Sequence, residues 1–186
     1  MRALALVCVL GLSACTTTPE VPPRAALRSL AELPRFQLEG RLQVRDGERS
    51  AVVGVDWQHT AGHDAWLFTG PLGQGLARIE SQAGRARMTL SDGSRVEADT
   101  AAELAERVLG ISAPFAELPR WVTARVREGA DVRELDTLGR PRQVIDRGWT
   151  IDYTDYTGEA PDDLPRKLDV HRGDTRLRLI VDSWNP

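Results

Sequence analysis

Along most of this chain, hydrophobic and polar positions alternate with a period of two. Phe36, Leu38, Gly40, Leu42 and Val44 are separated by Gln37, Glu39, Arg41 and Gln43. That spacing predicts a strand with one face turned inward. Asp46-Gly47 predicts a tight turn, and Ala51, Val53, Val55 and Trp57 predict the returning strand. Further strands are expected at Trp66–Phe68, Leu76–Glu80, Arg85–Leu90 (inward Ala86, Met88, Leu90) and around Arg95–Ala98, the last after an Asp92-Gly93 turn.

The middle of the chain changes period. Thr100 followed by Glu103 is a capping box; Leu104, Val108 and Leu109 then form an apolar stripe, and Gly110 can stop the helix. A second helix is expected from Pro114, carrying Phe115, Leu118, Trp121 and Val122, with Pro119 inside the span able to kink or shorten it. Strands return at Gln143–Ile145, Trp149–Tyr153, Lys167–His171 and Arg176–Trp184. Turn signals at short intervals, without βα alternation, predict a mainly β (α+β) fold: an antiparallel sheet curled over a few helices.

The N-terminus reads differently. Arg2 is followed by an apolar run from Leu4 to Ala14, too short for a membrane-spanning helix of about 20 residues. A positive start, an apolar middle and small residues before the cut are the order of a secretory signal. Leu12-Ser13-Ala14-Cys15 resembles a bacterial lipobox, in which the cysteine is acylated and becomes the first mature residue. The expected organisation is a signal peptide over 1–14, a lipidated Cys15 with tether and short helix over 15–34, and one domain over 35–186. In the tether, residues 16–23 favour extended backbone, and Leu27, Leu30 and Leu33 could share one side of a short helix ended by Pro34. Thr16 follows the cysteine, where Asp is the usual inner-membrane retention signal; this points to the outer membrane.

Removing 14 of 186 residues leaves 172, enough for one sizeable core. The net charge of −3 and scattered arginines, with Lys167 the one lysine, give no basis for nucleic-acid binding. The two cysteines are Cys8, in the signal, and Cys15, so no thiol is left for a disulfide, a metal or nucleophilic attack.

Catalytic patterns are missing. There is no G-x-S-x-G elbow and no P-loop. His59 and His63 are expected in a short loop without a third metal ligand, and His171 reads as a lone strand residue. Asp152, Asp155, Glu159, Asp162 and Asp163 lack the ligand order of a calcium loop. Core packing accounts for the five tryptophans. No cofactor or metal is expected. One loop resists this plain reading: in Thr69–Gly75, Leu72 stands between Pro71 and Gly73 with no sheet face to pack on. It either folds back on the sheet rim or is exposed for a membrane or partner.

Taken in order, Gly40-Arg41-Leu42, Trp57-Gln58, Gly70-Pro71-Leu72-Gly73, Leu118-Pro119-Arg120-Trp121, Gly148-Trp149 with Tyr153 and Tyr156, Leu164-Pro165 and the Leu177–Trp184 strand resemble the LolB family. One departure is Thr123-Ala124, where the family carries a glycine soon after the tryptophan. The resemblance implies an incomplete antiparallel β-barrel, covered by helices, around an apolar cavity. It implies an outer-membrane receptor, anchored at Cys15, monomeric and without enzymatic activity. Such a receptor takes acylated lipoproteins from the periplasmic carrier LolA and releases them into outer-membrane lipid. Pro71, Leu72 and Gly73 then match the family's membrane-inserting loop. Candidates for the acyl-chain cavity are Leu42, Val44, Val53, Val55, Phe68, Met88 and Leu90 on strands, with Ile111, Phe115 and Leu118 on the cover; each could equally be plain core. A second reading is an assembly lipoprotein presenting a protein-binding domain, its sheet packed solid rather than open. A periplasmic hydrolase lacks nucleophile and base.

Overall fold

The computed structural model describes residues 26–28, 33–110 and 114–186. The signal, Cys15 and most of the tether lie outside these residues, as does Ile111. Residues 26–28 are not helical. The Arg28 N–H bonds to the Gly139 carbonyl at 3.0 Å, so a turn elsewhere in the chain takes the donor that a helix would have used. The rest of the expected helix, apart from Leu33, is outside the described residues.

Eleven strands form one antiparallel sheet: β1 (Arg35–Asp46), β2 (Arg49–Thr60), β3 (His63–Thr69), β4 (Gly75–Gln82), β5 (Arg85–Leu90), β6 (Arg95–Ala98), β7 (Asp131–Leu135), β8 (Pro141–Asp146), β9 (Trp149–Tyr156), β10 (Pro165–Arg172) and β11 (Thr175–Asn185). Their order is β6-β5-β4-β3-β2-β1-β11-β10-β9-β8-β7. Every neighbour but one is a sequence neighbour; β1 meets β11 and joins the two halves. The sheet does not close, and β6 and β7 are its edges.

The period-two reading holds closely. On β1, Phe36, Leu38, Leu42 and Val44 are buried while Arg41 and Gln43 are exposed. Gly40 breaks the apolar series for a steric reason: a Cβ there would collide with the Ile180 carbonyl, beside a register shift between β1 and β11. Three readings are corrected. β7 was not anticipated; its two register shifts against β8 break the alternation, leaving Val132 and Leu135 out of phase. His59 and His63 lie in β2 and β3 rather than a loop, because those strands run to within two residues of each other. The second helix is short. Helix α2 is only Leu118–Val122, because Pro119 can occupy the first turn but not an interior.

Helix α1 (Ala101–Leu109) has the anticipated ends. Thr100 Oγ1 accepts from the Glu103 N–H at 3.3 Å and donates to its carboxylate at 3.3 Å; Gly110 closes the helix at φ +74°. α1 packs on β4, β5 and β6 through Ala101, Leu104, Ala105 and Leu109. Helices of nine and five residues have little stability of their own, so contact with the sheet holds this cover in place.

Candidate functional site: the apolar face, its cover and the Leu72 loop

The inner sheet face and the cover meet around an apolar cavity. It draws Leu42 from β1, Val55 from β2, Phe68 from β3, and Phe115 and Leu118 from the cover. These were anticipated from alternation. Val44, Val53 and Met88 are buried but stand away from it, and Leu90 is half-buried beside the core. Leu38, Trp57 and Trp66 complete the lining from the first half of the sheet; Leu168, Val170, Leu177 and Leu179 do so from β10 and β11, and Val122 from α2. Their inward phase was readable in sequence. Which inward positions converge was not, because that depends on how the sheet curls.

The free space is small, about 30 Å³, roughly the share of one water molecule in the liquid. Phe115 and Leu118 line it from the cover and are buried, at 4% and 8% exposure. Anything larger that enters must displace the cover.

Aromatic rings run along this face. Trp184, Phe36, Trp57, Trp66 and Phe115 follow one another at centroid distances of 5.5, 5.0, 5.6 and 5.6 Å. Asp64 accepts from Trp57 Nε1 at 2.8 Å and lies 2.7 Å from His59 Nδ1, so His59 is a structural partner. His171 likewise pairs with Asp152, at 3.1 Å. The anticipated acidic stretch is dispersed: Asp152 also accepts from Gln143, Asp155 faces Arg166, and Asp163 accepts from the Ala160 N–H. Among the described residues no group of His, Cys, Asp or Glu is placed to hold a metal ion.

A polar knot pins the cover at its α2 end. Asp146, 2% exposed, accepts from Trp121 Nε1 at 3.0 Å and from Arg127 through Nε at 3.1 Å and through Nη2. Burial alone would push the Asp146 carboxyl up; the hydrogen bonds from Arg127 and Trp121 outweigh it and hold the group below the usual carboxylate range. The Tyr153 hydroxyl donates to the Trp121 carbonyl at 3.0 Å, and burial pushes that hydroxyl well up. Arg147 pairs with Glu117 at the start of α2. The chain leaves α2 through Ala124 at φ +54°, a left-handed conformation that suits glycine.

The loop from β3 to β4 settles the question left open at Leu72. A tight turn closes from the Gly73 N–H to the Gly70 carbonyl at 2.9 Å, and the Gly70 N–H reaches the Gln74 carbonyl at 2.8 Å. Gln74 Oε1 accepts from the Leu72 N–H at 3.2 Å. Pro71 fixes one side of the turn and Gly73, at φ +80°, supplies what a side chain would resist. Leu72 at the tip is 94% exposed and does not fold back on the rim.

An open, curled antiparallel sheet, a helical cover on its apolar face and one outward leucine on a rigid loop define a class of half-barrel proteins. The chain belongs to the LolB family: the family model "Outer membrane lipoprotein LolB" matches residues 34–184. Similar relatives are the outer-membrane lipoprotein LolB of Azoarcus sp. (strain BH72), 44% identical over 97% of this chain and 93% of that one, and its counterpart from Thiobacillus denitrificans, 37% identical over 99% and 98%. Among solved structures, a LolA superfamily protein from Nitrosomonas europaea aligns with TM-score 0.49 and 9% identity over 81% of this chain and 85% of that one.

Proposed function

We propose that this protein is an outer-membrane receptor. It faces the periplasm, anchored through acylated Cys15 after removal of residues 1–14, with residues 35–186 as its single working domain. It acts as a monomer, accepts acylated lipoproteins from a LolA-like carrier and inserts them into the outer membrane. The observation that carries this reading is the pairing of an apolar face under a short helical cover with an exposed leucine on a hydrogen-bonded loop, in a chain of the LolB family.

The energetics are those of a transfer factor. Each CH₂ taken from water gives about 0.8 kcal/mol, so a long acyl chain cannot cross the periplasm unshielded. Moving it between two shielded sites needs only a difference in affinity of a few kcal/mol. No nucleotide and no catalytic residue enter this scheme. When the chain arrives, Phe115 and Leu118 leave the centre and their contacts are replaced by acyl contacts. Leu42, Val55 and Phe68 receive the chain, and the more peripheral Val44, Val53, Met88 and Leu90 line the space as the cover lifts. Ile111 lies outside the described residues.

Leu72 acts at release. Burying one leucine gives roughly 1.5–3 kcal/mol, too little to anchor a protein but enough to bias delivery. The test uses the full chain in liposomes with a carrier loaded with acylated or unacylated cargo. Acylated cargo alone should pass to the receptor and on into lipid. Leu72→Asp should keep the first step and lose the second by more than tenfold. A variant that inserts cargo at the normal rate contradicts the role of Leu72; failure of acylated cargo to leave the carrier contradicts the receptor reading.

A further inference from the structure

The indole nitrogens of this protein are not treated alike. Trp57 Nε1 donates to Asp64, Trp121 Nε1 to Asp146, and Trp184 Nε1 to the Pro165 carbonyl at 2.9 Å. Trp66 Nε1 is buried and has no hydrogen-bond partner among the described residues. A buried donor without an acceptor costs free energy, and a wholly apolar ring such as that of phenylalanine avoids that cost while filling less of the space.

The orphan lies in the most consequential place in the molecule. Trp66, 3% exposed, lines the apolar cavity with its ring between those of Trp57 and Phe115. The other lining side chains are Leu, Val and Phe, together with Trp57, whose nitrogen is already engaged. Among the described lining residues, Trp66 thus carries the one buried side-chain donor without a partner, and none is charged.

We propose that Trp66 Nε1 is the polar anchor of the acyl site and donates a hydrogen bond to the carbonyl oxygen at the head of a bound acyl chain. This rests on the receptor reading above and adds a chemical preference to it. A single neutral donor in an apolar wall suits an acceptor that carries no charge and needs no donor of its own, which describes an ester or amide carbonyl. A free carboxylate would enter without a cation to meet it and is disfavoured. In register Trp66 stands opposite Trp57 and Ile79. With the carbonyl there, the methylenes run along the strands past Val55 and Phe68 toward Leu42, over apolar surface alone.

The test compares the full-length protein with Trp66→Phe, using 1-lauroylglycerol and its dodecyl ether analogue as probes. The wild type should bind the ester roughly tenfold more tightly than the ether, the size of one net hydrogen bond. Trp66→Phe should lose that preference, binding both as the wild type binds the ether. It should melt, when empty, close to the wild type, since the packing lost with the smaller ring is offset by removing an unpaired donor. As a check independent of the variant, the wild-type Trp66 indole proton should shift downfield with the ester and not with the ether. An ester preference that survives Trp66→Phe, or an indole resonance unmoved by the ester, overturns the anchor and leaves the receptor reading intact. If neither protein takes either probe while acylated cargo still passes, the anchor is overturned; if cargo also fails to pass, both readings fall. An acyl carbonyl could come from lipoprotein cargo or from phospholipid. Slower cargo transfer with unchanged uptake of vesicle phospholipid assigns it to cargo, and the converse to phospholipid.

Discussion

Trp66 and Trp121 are comparably buried, at 3% and 1% exposure, yet one indole N–H has no partner among the described residues and the other is tied into a polar knot. Trp121 belongs to α2 and meets Asp146, which also holds Arg127. Trp66 belongs to the sheet and meets the rings of Trp57 and Phe115. The difference separates two jobs. A satisfied polar group fixes one end of the cover; an unpartnered one marks the wall that, in the proposed function, receives the acyl chain.

The comparison can be broken most severely at Asp146. Asp146→Ala strands the buried Trp121 N–H and frees Arg127, so unfolding free energy should fall by about 2–3 kcal/mol. Denaturant titration measures this, and Asp146→Asn, which can still accept from the indole, should lose less. Acid should act on the same knot in the same direction. The folded carboxyl titrates below its unfolded value of about 3.9, so its stabilisation is complete above roughly pH 4 and is lost as pH falls through the lower, folded value. Asp136 adds to this: burial would raise it, but hydrogen bonds from Arg140 hold it low. Melting temperature should therefore be level from neutral pH to about 4.5 and drop below 4; a drop already complete above pH 5 would contradict this.

Trp66→Phe should sharpen the contrast by doing little. The empty variant should stay within about 1 kcal/mol of the wild type, because the lost nitrogen has no partner among the described residues and its removal offsets the packing lost with the smaller ring. A destabilisation as large as that of Asp146→Ala would mean that the two indoles are alike. The smallest effect is expected at Ala124, held at φ +54° beside the knot. Ala124→Gly should relieve strain at the cost of one buried methyl and raise stability by up to about 1 kcal/mol, measured by thermal melting.

The sheet was largely readable in sequence because a half-buried strand writes its two faces alternately, as β1 and β11 do. It failed at β7, where two register shifts put Val132 and Leu135 out of phase, and at the His59–His63 hairpin, where polar strand ends imitate a loop. Pro119 signalled a shortened helix without saying on which side it would survive. The Thr123-Ala124 departure carried more meaning than it showed: the structure places the non-glycine residue in a left-handed turn. The site was only half legible. Alternation identifies Leu42, Val55 and Phe68 as inward, but it cannot distinguish them from Val44 and Val53, because convergence on one cavity depends on curvature across β1, β10 and β11. Leu72 was visible as an apolar residue without a face to pack on. The isolation of the Trp66 nitrogen was not visible at all, since a missing partner leaves no trace in sequence.

The central claim is that an acyl chain enters between sheet and cover. The most direct measurement places a photoreactive benzoyl-phenylalanine at Phe115 in the full-length protein and illuminates during transfer from a loaded carrier. The account predicts a crosslink to acylated cargo that is absent with unacylated cargo and fades as the cargo reaches lipid. Efficient transfer with no crosslink at Phe115, or equal crosslinking of unacylated cargo, would contradict it.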